Sequence, residues 1–86
     1  MKHRVFWSPR AEQRLEEIAI VAADPTAVVA AARAIDKRLV HDPRNLGESR
    51  EENTRIAFQG TLGIHFEVLD DVQTAIVLDV WRVRPR

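Results

Sequence analysis

Between Thr54 and Asp71 the chain reads TRIAFQGTLGIHFEVLDD, and Ile56, Phe58, Leu62, Ile64, Phe66 and Val68 occupy alternate positions. A period of two marks half-buried strands. Strands are therefore expected at Thr54–Gln59, Leu62–Leu69 and about Thr74–Val83, joined at Gly60-Thr61 and Asp70-Asp71-Val72. Upstream the period lengthens. Ala11, Leu15, Ile18, Ala19 and Ala22 recur at helical spacing, as do Val28, Ala31, Ala32, Ile35 and Leu39. Ser8-Pro9 and Asp24-Pro25 each supply a capping oxygen followed by a proline, which suits the first helical position because its missing N–H has no partner there anyway. His41-Asp42-Pro43 ends the second helix, since a residue before proline is driven out of helical geometry. HRVFW at the start is a short β-rich run with Val5 and Trp7 on one face. The expected order is β-α-α-β-β-β, an α+β fold with a helical hairpin packed on one face of a small, mainly antiparallel sheet.

The pattern also predicts which side chains meet. A connection of about three residues between the first two meander strands puts Ile56 opposite Phe66, Phe58 opposite Ile64 and Arg55 opposite Glu67, with Ile56 and Phe58 facing the helices. In the last strand Ile76, Leu78 and Val80 are expected to continue that apolar face, and Val77, Asp79 and Trp81 to point away. One register sets Trp81 across from Gly63 and His65 across from Asp79; a two-residue slip is the alternative.

Composition narrows the class. The 86 residues suit one domain spanning 1–86, with 45% hydrophobic and 30% charged residues, as in ordered globular proteins. No run approaches the roughly 18–20 apolar residues that cross a bilayer, and the start lacks signal-peptide character. Cysteine is absent, which excludes disulfides and thiol chemistry. A cytoplasmic protein without cofactor or metal is the expectation, because His3, His41 and His65 fall in three different elements without ligand spacing. Thirteen Lys and Arg balance thirteen Asp and Glu, whereas dedicated nucleic-acid binders usually carry a basic excess. The charges are nonetheless polarised: Lys2, Arg4 and Arg10 lie near the start, and Arg82, Arg84 and Arg86 near the end.

Candidate chemistry gathers on the meander. Arg55 is a phosphate-binding candidate, or else the ion-pair partner of Glu67. Histidine as a residue type exchanges protons readily under physiological conditions, so His65 suits general acid–base work, as Glu67 does in the base role. The alternative for His65 is a solvated surface side chain. Trp81 suits stacking on a nucleobase, or else covers the bare backbone of Gly63. Arg82, Arg84 and Arg86, with Arg50 and Arg44 from the loop, form a candidate nucleic-acid rim; the same arginines suit an acidic partner or a soluble, unpaired strand edge.

Taken in order, VFWSPRAEQRLEEI, AIDKRLVHDPRNLGESR, TLGIHFEV and TAIVLDVWRVR resemble the RelE/ParE superfamily of bacterial toxins over nearly the whole chain. The resemblance implies the toxin half of a type II toxin–antitoxin pair, held silent by an antitoxin protein and in places linked to plasmid stabilisation. RelE-like members cut mRNA on the ribosome, by attack of the ribose 2′-hydroxyl; ParE-like members poison DNA gyrase without cutting nucleic acid. A degenerate member acting only as a binding module, and a homodimer, are left open. The RelE-like reading leads at this stage, with His65, Arg55 and Glu67 as catalytic candidates. Several positions depart from that pattern. Gly63 stands where an arginine is common in the nucleases, Phe66 replaces a hydroxyl-bearing aromatic, and no tyrosine is present. Lysines are confined to Lys2 and Lys37.

Overall fold

The computed structural model describes residues 2–83. Strand β1 (Arg4–Trp7) leads into helices α1 (Pro9–Val21) and α2 (Pro25–His41), followed by a very short β2 (Glu48–Ser49) and the meander β3 (Thr54–Gln59), β4 (Leu62–Leu69) and β5 (Thr74–Arg82). The five strands form one sheet in the order β1-β5-β4-β3-β2. Only β1 runs parallel to its neighbour, pairing Val5 with Ala75 and Trp7 with Val77, so a crossover is needed and the helical hairpin provides it. Strand β2, inside a stretch expected to be loop, extends the far edge by pairing Glu48 with Ile56.

The helices start where the sequence places them. Ser8 Oγ accepts the Ala11 amide at 3.1 Å and donates to the Leu78 carbonyl at 3.1 Å, tying the cap to β5. Asp24 caps α2 through the Ala27 amide. Replacing Ser8 by alanine removes both contacts, and urea denaturation is expected to show a loss of about 1–2 kcal/mol. All five predicted stripe residues of α2, Val28, Ala31, Ala32, Ile35 and Leu39, are buried, while α1 buries Ala11 and packs Leu15, Ile18, Ala19 and Ala22 against the core. Opposite them lie Ala57, Leu62, Ile64, Phe66, Val68, Ala75, Val77 and Val80. The indole N–H of Trp7 donates to Asp36 at 2.6 Å, joining β1 to α2.

The expected register of β3 is corrected. The connection is two residues long, so Gln59 pairs with Leu62, Ala57 with Ile64, Ile56 with His65 and Arg55 with Phe66. Odd positions of β3 therefore share a face with even positions of β4. Ala57 turns toward the helices and Phe58 turns outward at 59% exposure. Ala57 is buried in the core beneath the helices, and the Arg38 guanidinium of α2 donates to Gln59 Oε1 at 2.8 Å.

The last strand is half corrected. Trp81 lies opposite Gly63 and His65 opposite Asp79, but a bulge then shifts the pairing, so that Phe66 meets Val77 and Glu67 meets Ile76. The extra residue reverses parity. Ala75 and Val77 become core, and Ile76 and Leu78 are only partly buried.

Candidate functional site

The face of the sheet away from the helices carries an open cleft of about 700 Å³. Thr54 and Ile56 of β3 and His65 and Glu67 of β4 form its floor, and the segment Ser49 to Asn53 forms its wall. His65 and Glu67 are both half-buried and, two residues apart on one strand, point to the same side. Arg50 joins them at the rim with its guanidinium 3.7 Å from Glu48. Among the predicted site residues, His65, Glu67 and Arg50 are thus brought together.

Arg55 is not among them. It pairs with Phe66 on the helix-facing side, where Nε donates to the Leu46 carbonyl at 2.8 Å and Nη2 to the Gly47 carbonyl at 2.9 Å. The expected pairing with Glu67 is replaced by Thr54 opposite Glu67. The two-residue connection is the cause, because it moves every odd residue of β3 to the far face. Arg55 holds the loop that walls the cleft.

Asp79 faces α1, with Arg10 and Arg14 at 3.8 and 4.0 Å from its carboxylate. Arg82 is exposed at the end of β5, opposite Leu62. Arg84 lies outside the described residues, as does Arg86. Trp81 covers Gly63: a Cβ on that glycine would sit 2.5 Å from the indole. Phe58 meets Trp81 edge to face, with centroids 6.3 Å apart and planes at 83°.

The cleft's electrostatics follow from its lining. Among the described residues that line it, Glu51, Glu52 and Glu67 supply three carboxylates against one guanidinium, that of Arg50, with His65 on the floor. None of the three glutamates has an ion-pair partner among the described residues. Like charges repel, so this lining disfavours an incoming phosphate, most at half-buried Glu67 and less at Glu51 and Glu52, which are exposed and screened by solvent. Sequence reasoning missed Glu51, Glu52, Ile56 and Phe58 as parts of this face. The two-residue Gly60-Thr61 link was the signal that would have found Ile56 and Phe58, because it sets their parity.

This architecture is the fold of the RelE/ParE toxins. A chain of the RelBE2 toxin–antitoxin complex from Mycobacterium tuberculosis superposes with a TM-score of 0.77 at 21% identity, over 95% of this chain and 92% of that one. A chain of the chromosomal ParDE system of Pseudomonas aeruginosa gives 0.73 at 17% identity, over 96% and 98%. The isolated Escherichia coli RelE toxin gives 0.65 at 14% identity, over 98% and 87%. The fold is not confined to toxins, since it also matches about a third of the longer chain of TrmO from Pseudomonas aeruginosa. No family model and no curated protein matches the sequence.

Proposed function

We propose that this chain is the toxin of a toxin–antitoxin pair and that it arrests growth by binding a protein target, in the manner of ParE acting on DNA gyrase. The toxin reading rests on the fold it shares with RelE and with chains of the RelBE2 and ParDE complexes. The protein target is favoured by the cleft, whose described lining carries three carboxylates and one guanidinium. A ribonuclease stabilises a phosphate that gains charge in the transition state, and does so with preorganised cations. Here Arg55 is occupied by loop carbonyls and the arginine position at Gly63 is filled by an indole.

Inducible expression in a bacterial host tests the reading. The expected result is growth arrest with induction of an SOS reporter and intact transcripts, relieved by co-expression of a small antitoxin encoded beside the gene. Arrest without SOS induction and without inhibition of gyrase supercoiling would dispose of the gyrase target.

One observation keeps the RelE-like reading as second. His65 and Glu67 share the floor of one cleft, an arrangement suited to proton transfer. Under that reading transcripts are cut within codons on translating ribosomes, and His65→Ala lowers cleavage by about 100-fold or more.

A further inference from the structure

The uncovered sheet face carries an aromatic end and an acidic end. At one end Phe58 is 59% exposed and stands edge-on to Trp81 over Gly63, with Ile56 alongside. At the other end Glu67 lines the same cleft as Glu51 and Glu52 of its wall, with Arg50 the one cation among the described lining residues. Gly63 and Glu67 are four residues apart on β4, about 13 Å at strand rise. Large aromatics left partly open to water are the anchors that interfaces use, and the carboxylates beside them select the sign of what lands there.

We infer that this face receives an extended polypeptide segment of a partner protein, about four to six residues long, apolar at one end and basic at the other. The apolar end packs on Phe58, Trp81 and Ile56, and the lysines or arginines meet Glu67, Glu51 and Glu52. Nucleic acid fits poorly, because its backbone would run past the same three carboxylates. The inference rests on the reading of this protein as a binder of a protein target, and supplies the chemistry of the segment it recognises.

The test uses the purified chain and amide-detected NMR. The probe is a capped hexapeptide of phenylalanine and leucine followed by lysines; its controls are the same peptide with glutamates for the lysines and a short single-stranded RNA. The lysine peptide is expected to shift the amides of Gly63, His65 and Glu67 and the indole N–H of Trp81. The indole of Trp7, held by Asp36 on the other face, should stay still. Phe58→Ser and Glu67→Gln should each weaken binding by about tenfold, and added salt should weaken it further. Phe58 is exposed, so its variant keeps the wild-type spectrum away from its neighbours Trp81 and Gly63. Equal shifts with the glutamate peptide, a response to RNA alone, shifts confined to the helices, or no response at millimolar peptide would each overturn the inference. Growth arrest is scored separately in cells, so toxicity without peptide binding rejects this proposal alone, and peptide binding without toxicity rejects the toxin reading alone.

Discussion

Replacing Gly63 by alanine should lower the free energy of unfolding by about 1–3 kcal/mol, the usual cost of forcing an extra carbon into a packed site. The same replacement in a Trp81→Ala background should cost nothing, or stabilise by up to about 1 kcal/mol, because glycine is a poor strand residue when nothing needs its bareness. The ground for this is the 2.5 Å approach between a Cβ at Gly63 and the Trp81 indole. Phe58 meets the same ring edge to face, so an indole that swings away from Gly63 gives up that contact as well. Urea denaturation of the two single variants and the double variant gives the coupling directly. An equal penalty in both backgrounds would show that the indole is not what requires glycine. The result also bears on chemistry. An arginine placed at Gly63 would have to displace the indole first, so one substitution there does not supply a phosphate contact.

Most of the fold was legible because each helix carries its instructions locally. Ser8-Pro9 and Asp24-Pro25 cap and start the helices, and the stripe of α2 from Val28 to Leu39 is buried at every predicted position. Alternation identified β3, β4 and β5, and the core side of β4 is as read, with Ile64 and Phe66 fully buried. The face of a strand is a different kind of information. In β3 both Ile56 and Phe58 are larger than Ala57, so hydrophobicity alone turns Ala57 outward. The structure does the reverse, because the two-residue connection sets the register and outweighs the preference of two side chains. A bulge likewise leaves no hydrophobic signature, which is why alternation alone places Ile76 and Leu78 in the core in place of Ala75 and Val77. These two local shifts carry through to the site. They remove Arg55 from the cleft, add Phe58 and Ile56 to its face, and leave His65 and Glu67 where alternation within β4 had put them.

The largest effect of a single methyl group is expected at Gly47, where alanine should cost roughly 2–5 kcal/mol. Two terms combine. The backbone there has a φ of +72°, a conformation that penalises any residue with a Cβ. The added carbon would also lie 2.0 Å from the Ile56 carbonyl oxygen, a backbone atom fixed by sheet pairing, and 2.8 Å from the Ala57 side chain. Relief therefore requires the loop to lift off β3, which breaks the pairing of Glu48 with Ile56 and pulls the Leu46 and Gly47 carbonyls away from Arg55. Arg55→Ala should reproduce part of the loss, about 1.5–3 kcal/mol for hydrogen bonds made by a charged donor. Arg55→Lys should rescue little, since one ammonium cannot span both carbonyls as the guanidinium fork does. Urea midpoints measure the stability of all three variants, and the amide shifts of Ser49 to Asn53 report whether the cleft wall has moved. Were Arg55 a phosphate ligand rather than a brace for the loop, Arg55→Ala would leave both stability and those amides unchanged.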